Sequence, residues 1–136
     1  MYAKGRGVQK DYAKAKMLFQ LAAEKENAKA QYNLARMLML GHGVKQDMAS
    51  AFKWIRRAAE NGQAQAQSIL GNQYANGEGV DQDNKRSYMW LSLAAEGGDS
   101  NSVKYKQIVS KRLTPSELKE AKDMLRVCLK KSLKDC

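Results

Sequence analysis

Gly41-His42-Gly43-Val44-Lys45-Gln46-Asp47 recurs as Gly77-Glu78-Gly79-Val80-Asp81-Gln82-Asp83 and, earlier, as Gly5-Arg6-Gly7-Val8-Gln9-Lys10-Asp11. The copies stand 36 residues apart. The same offset aligns Ala22-Ala23-Glu24 with Ala58-Ala59-Glu60 and Ala94-Ala95-Glu96, so seven columns are identical without a gap. A fixed period of about 20–50 residues marks stacked supersecondary units, none of which buries its apolar face alone.

Between the copies the apolar spacing is helical. Asp11 can cap a helix over 12–25, in which Ala15, Leu18, Phe19, Ala22 and Ala23 follow the i, i+3, i+4, i+7 rule. Asp47 and Asp83 open equivalent helices through Ala51, Trp54, Ile55, Ala58 and Ala59, and through Ser87, Trp90, Leu91, Ala94 and Ala95. These are the B helices. A second set, the A helices, begins after Asn27, Gly62 and Gly98 and is expected over 28–40, 63–76 and 99–112. The third, with Val103, Tyr105, Ile108 and Val109, is followed by Thr114-Pro115-Ser116-Glu117 in place of a fourth glycine motif. A capping threonine, a proline at the first helical position and a glutamate at the third form a strong helix start. The helix it opens, over 115–131, takes the place of a B helix; Leu118, Ala121, Leu125, Cys128 and Leu129 are expected to seal the stack, with Lys119, Lys122, Arg126 and Lys130 in solvent.

The pattern predicts one all-α solenoid domain over 1–136, of about seven helices, ending in a capping helix. Residues 1–27 form the second half of a unit, 28–62 and 63–98 are full units, and 99–136 supply the third A helix and the cap. Met1 and Tyr2 align with Met37-Leu38 and Gln73-Tyr74, at a helix end. The chain is therefore expected to begin partway through a unit, with more sequence upstream, including any export signal. Periplasm, secretion and cytoplasm all stay open. Leu18, Leu21 and Ala22 of the first B helix lack an A partner, so that end is expected to be sticky and prone to self-association.

Charged residues make up 28% and hydrophobic ones 43%, with a single proline, which disfavours long disorder; no apolar run has the length of a membrane helix. The net charge of +10 is concentrated at one end, because residues 104–136 hold ten Lys or Arg against four acids. Such a skew attracts acidic protein surfaces, nucleic acid or anionic lipid, or serves as a solvated face. Tyr105 is the only aromatic among these basic residues, which argues against single-strand stacking and ranks nucleic-acid binding second to protein binding. Cys128 and Cys136 show no metal-ligand spacing. Along one helix their Cα atoms would be about 12 Å apart, too far for a disulfide unless the tail folds back. Cys128 is expected in the core and Cys136 as a loose thiol.

The stretch Leu70-Gly71-Asn72-Gln73-Tyr74-Ala75-Asn76-Gly77-Glu78-Gly79-Val80-Asp81-Gln82-Asp83, followed by Trp90 and Ala94-Ala95-Glu96, resembles the hallmark of the Sel-one-like repeats (SLR), relatives of tetratricopeptide repeats. The resemblance covers about residues 1–103, and the first full unit departs from it with Ala35 for glycine and Leu38 for tyrosine. It implies a right-handed α–α superhelix used as a protein-binding adaptor, in signalling, envelope assembly, host interaction or toxin neutralisation.

No reaction is written in the residues. A phosphate loop needs a preceding strand and a third glycine, whereas helices flank these motifs and Lys10, Gln46 and Gln82 stand in the third place. Gly5, Gly7, Gly41, Gly43, Gly77 and Gly79 are expected to form the turn between A and B helices, plugged by Val8, Val44 and Val80. His42, the only histidine, has no triad partner singled out. Ser50-x-x-Lys53 and Ser116-x-x-Lys119 match one motif of penicillin-recognising enzymes, but its Ser-Asp-Asn and Lys-Thr-Gly companions are missing, so a β-lactam hydrolase ranks last. Trp54 and Trp90 share a column with Leu18 and are expected to pack between helices. No cofactor, metal or catalytic residue is expected.

Function is sought where the copies disagree. With A helices lining the concave groove, as the resemblance implies, Lys29, Tyr32, Arg36 and Met39 belong to it in the first unit, and Gln65, Ser68, Asn72 and Ala75 in the second. The third adds Asn101, Lys104, Ile108 and Lys111. Tyr32, Arg36 and Met39 are the expected anchors, being of the residue types enriched at interface cores. The lysine end favours a protein or peptide partner of acidic character.

Overall fold

The computed structural model describes residues 8–41, 45–134 and 136. Seven helices are found among them: α1 (Val8–Glu24), α2 (Ala28–Leu40), α3 (Met48–Glu60), α4 (Ala64–Asn76), α5 (Asn84–Glu96), α6 (Ser100–Ser110) and α7 (Pro115–Lys130). The A helices α2, α4 and α6 start 36 residues apart, as do the B helices α3 and α5, so the sequence period is a structural period. Each helix packs on its chain neighbour from α1 to α6; α4 also touches α6, and α7 lies across α5.

The caps explain the register. Asp47 and Asp83 are extended, and their side chains accept hydrogen bonds from the Ser50 and Arg86 amides. Each also donates its own amide to the preceding A helix, Asp47 to Leu38 O and Asp83 to Tyr74 O, both at 2.9 Å. Asn27 and Gln63 cap α2 and α4 in the same way. Gly41 and Gly77 end those helices in the left-handed region, at φ 70° and 69°, where a side chain would be strained. Glutamines brace the joints from α1 to α5, unsignalled by the seven shared columns. Gln46 and Gln82 donate to Met39 O and Ala75 O at 2.8 and 2.9 Å, while buried Gln31 and Gln67 donate to Ala23 O and Ala59 O at 2.9 and 3.1 Å.

Asp11 departs from the pattern. It lies inside α1, which begins at Val8, instead of ahead of the helix as expected. The described residues hold no A helix ahead of α1 to accept the amide bond that fixes Asp47 and Asp83. Gly5, Gly7, His42, Gly43 and Val44, as well as the side chain of Val8, lie outside the described residues.

The core runs between the layers as three patches. Leu34, Leu38, Ala23 and Ala51 form the first; Ile55, Leu70, Tyr74, Met89 and Trp90 the second; Tyr88, Leu91, Val109 and Ala121 the third. Small residues set the spacing. A Cβ on Gly71 would come within 2.7 Å of Leu91 Cγ and 3.2 Å of Ser87 O, so α4 and α5 approach too closely for alanine. Gly71→Ala is expected to cost about 1–3 kcal/mol through overpacking, read as a lowered urea midpoint with unchanged helicity.

The C-terminal end differs from expectation in three places. Cys128 and Cys136 form a disulfide with Cα atoms 5.6 Å apart. The helix stops at Lys130, and Ser132 and Leu133 take positive φ values, turning the tail back so that Arg86 Nε donates to Cys136 O at 3.2 Å. Leu129 does not seal the stack. It is exposed, because α7 meets the core through Ala121, Met124, Leu125 and Cys128. On α6 only Ser102 and Val109 are buried, leaving Val103 and Tyr105 exposed along with the groove residue Ile108, since α7 leans on α5 and does not cover α6. At the other end Leu18 and Leu21 are exposed and Ala22 half-buried.

Candidate functional site

The residues that vary between units gather on the A helices, with different degrees of access. Lys29, Arg36 and Gln65 are exposed, and Tyr32, Met39 and Asn72 are half-buried. Arg36 stacks over the Tyr32 ring at 5.7 Å, a cation–π pair one helical turn apart, while Tyr32 and Met39 also pack on the core. Ser68 is buried, because α3, α5 and α6 all pack against α4, so it offers no contact surface. Lys104, Ile108 and Lys111 are exposed on α6.

Between α4 and α6 lies a cleft of about 290 Å³, lined by Asn72, Ala75, Asn76, Tyr105, Ile108, Val109 and Arg112. Arg112 Nη1 donates to Ala75 O at 3.3 Å and closes one wall. The sequence pattern places Asn72, Ala75 and Ile108 in the groove but Tyr105 among the packed residues, and it gives no sign of Arg112. The signal for Tyr105 is that the glycine motif fails after α6, so no B helix follows to cover that face.

A polar cluster joins the first two units. Glu26 takes φ 62°, left-handed for a non-glycine residue, at the position where the next units have Gly62 and Gly98. Its carboxylate accepts from Arg57 Nη2 at 2.6 Å, Asn61 Nδ2 at 2.9 Å and Gln31 Nε2 at 3.0 Å. These bonds, that from Arg57 foremost, pull the carboxyl down from its ordinary 4.5 to about 2. Arg57 also lies 4.8 Å over the Trp54 ring, which leaves Trp54 half-buried at the edge of the core. Since the carboxyl is more acidic folded than free, the network's contribution is complete above about pH 4.5 and is lost as pH falls toward 2. Glu26→Gln is expected to cost at most about 1 kcal/mol near neutral pH, because the carboxylate is exposed and screened. The gap between variant and parent should close in acid, as read from urea midpoints across that window.

The Ser50 hydroxyl donates to Asp47 Oδ2 at 2.8 Å and belongs to the helix cap, and Ser116 is exposed. Among the described residues no group of three or more His, Cys, Asp or Glu suited to a metal ion occurs, and no helix is long and apolar enough to cross a membrane.

The family model described as Sel1 repeat matches residues 1–27, 28–63 and 64–99. The solved structure of c5321, a protective antigen present in uropathogenic Escherichia coli strains and displaying an SLR fold, superposes with a TM-score of 0.85 at 32% identity over 94% of this chain. A Sel1 repeat protein from Oxalobacter formigenes superposes with a TM-score of 0.74 at 36% identity over 79%. The chain spans 28% and 44% of the lengths of those two proteins. No curated protein matches the chain. Sel1 repeat proteins generally serve as protein–protein interaction scaffolds on a typically non-enzymatic adaptor fold. Matched unit after unit from residue 1 to residue 99, the chain belongs to the Sel1 repeat family.

Proposed function

We propose that this protein is a non-enzymatic adaptor that captures a protein or peptide segment of acidic character along its A helices α2, α4 and α6. The α4–α6 cleft carries the reading, because it joins an exposed tyrosine and isoleucine to an asparagine and an arginine. An aromatic and an arginine beside apolar surface are the usual centres of binding energy. Exposed Lys104 and Lys111 on the same helix steer an acidic partner. Tyr32 and Arg36, stacked on α2, supply a second anchor.

Changing Tyr32, Arg36 and Lys104 together to alanine is expected to weaken partner capture at least about tenfold with helicity intact. Undiminished capture sinks the groove reading. The alternative, nucleic-acid binding, has the exposed Lys119, Lys122, Arg126 and Lys130 of α7 in its favour. A salt titration separates the two, for an electrostatic complex with DNA or RNA strengthens steeply as salt is lowered, and no complex at low salt removes it.

A further inference from the structure

The joints from α1 to α2 and from α3 to α4 are built alike except in one respect. At the first, Gln31 donates to Ala23 O and to Glu26 Oε2, and its Oε1 accepts from Asn61 Nδ2 at 3.0 Å. Thirty-six residues on, Gln67 takes the place of Gln31, Gly62 that of Glu26, Leu93 that of Arg57 and Gly97 that of Asn61. Gln67 is only 4% exposed and repeats the bond to the helix carbonyl, Ala59 O. Its other amide hydrogen and its Oε1 have no counterparts of Glu26 and Asn61 to meet among the described residues.

In place of the carboxylate and its two long donors, the second joint has a pocket of about 600 Å³. Gln67, Gly62 and Gly97 line it, with Leu93, Leu129 and Leu133 as apolar wall. A Cβ at Gly62 would meet nothing within 4 Å. The cation that Arg57 supplies at the first joint comes here from the tail, where Lys134 Nζ donates to Asn61 Oδ1 at 3.0 Å and both residues line the pocket. Among the described residues the one acid in the lining is Glu60, which lies 3.7 Å from Arg56.

We propose that this pocket is a carboxylate-binding site, taking from a partner peptide the group that Glu26 provides from within the protein at the first joint. Gln67 Nε2–H and the Lys134 ammonium hold the carboxylate, and the three leucines take the neighbouring apolar side chain. The ligand carboxylate belongs to a glutamate side chain or to the C-terminus of the peptide. Of the three side chains that donate to Glu26 at the first joint, the glutamine recurs here as Gln67, and Lys134 brings a cation from the tail. The site is separate from the α4–α6 cleft and stands or falls independently of the adaptor reading.

The test follows the side-chain amide signals of Gln67 by nitrogen-15 NMR during titration with four peptides. Two are acetyl-Gly-Leu-Glu-Leu-Gly-amide and its glutamine counterpart; two are acetyl-Gly-Leu-Leu as free acid and as amide. The Gln67 signals are expected to shift and saturate, with a dissociation constant of about 1 mM or tighter, for at least one acid and for neither neutral counterpart. Which acid responds tells a glutamate side chain from a C-terminus. Gly62→Glu, which fills the pocket from within, is expected to abolish the response, and Gly62→Ala, equal in backbone strain, to keep it. Lys134→Ala, at an exposed position, is expected to weaken binding about tenfold and serves if Gly62→Glu does not fold. No shift with either acid, equal shifts with the neutral peptides, or an unchanged response in Gly62→Glu or Lys134→Ala overturns the assignment.

Discussion

Trp90→Ala is expected to destabilise the protein by about 3–5 kcal/mol. Trp90 is 1% exposed and sits in the largest core patch, where Leu70, Tyr74, Met89 and Cys128 also pack, so removing the indole leaves a cavity that helices on several sides must collapse to fill. A domain of this size has about 5–15 kcal/mol in total, so the variant should melt far below the parent in thermal denaturation. Trp54 provides the internal control, because it occupies the same repeat column but is half-buried beneath Arg57. Trp54→Ala is expected to cost about half as much, the sum of partial burial and a cation–π pair. Equal costs would contradict the burial pattern.

Opening the Cys128–Cys136 disulfide is expected to have the second largest effect. The bond closes a short loop, with 8 residues of separation, and constraining the unfolded polypeptide over such a loop is worth about 2–3 kcal/mol in the loop-entropy account. Cys136→Ser is the better variant, since Cys128 is buried and a serine there would bury a hydroxyl. Helicity should hold, because α7 ends at Lys130, ahead of the tail. Hydrogen exchange at residues 131–134 should accelerate as the tail leaves Arg86 and Asn61, to which Cys136 and Lys134 are bonded. An unchanged denaturation midpoint in Cys136→Ser, and in the parent treated with a dithiol, would show that the bridge adds nothing.

The 36-residue period is legible because it rests on residues whose backbone demands are local. Asp47 and Asp83 cap, Gly41 and Gly77 reverse the backbone, and the stripes of α2, α3, α4 and α5 follow from 3.6-residue spacing. What stays hidden depends on neighbours in space. The fold-back that pairs the cysteines rests on Ser132 and Leu133 adopting left-handed φ, which no residue type there announces. Tyr105 reads as packed because its spacing is helical, but coverage of α6 depends on where α7 goes. Glu26 hides for the opposite reason. A glutamate ahead of a helix looks ordinary until Gly62 and Gly98 are set beneath it, when it is the one side chain in a glycine column, held there by Arg57, Asn61 and Gln31. The brace glutamines are visible as pairs, 31 with 67 and 46 with 82, and escape the shared columns because Val103 breaks the one set and Lys10 the other. Of the groove residues, Ser68 fails for want of access, whereas Asn72 and Ile108 share one cleft.

The adaptor reading is tested most directly by hydrogen exchange on the protein with and without a partner captured from native lysate. It predicts slowed exchange on α2, α4 and α6, centred on 72–76 and 104–112, with the triple variant at Tyr32, Arg36 and Lys104 losing that footprint. A footprint confined to α3 and α5, or to the basic face of α7, would contradict it.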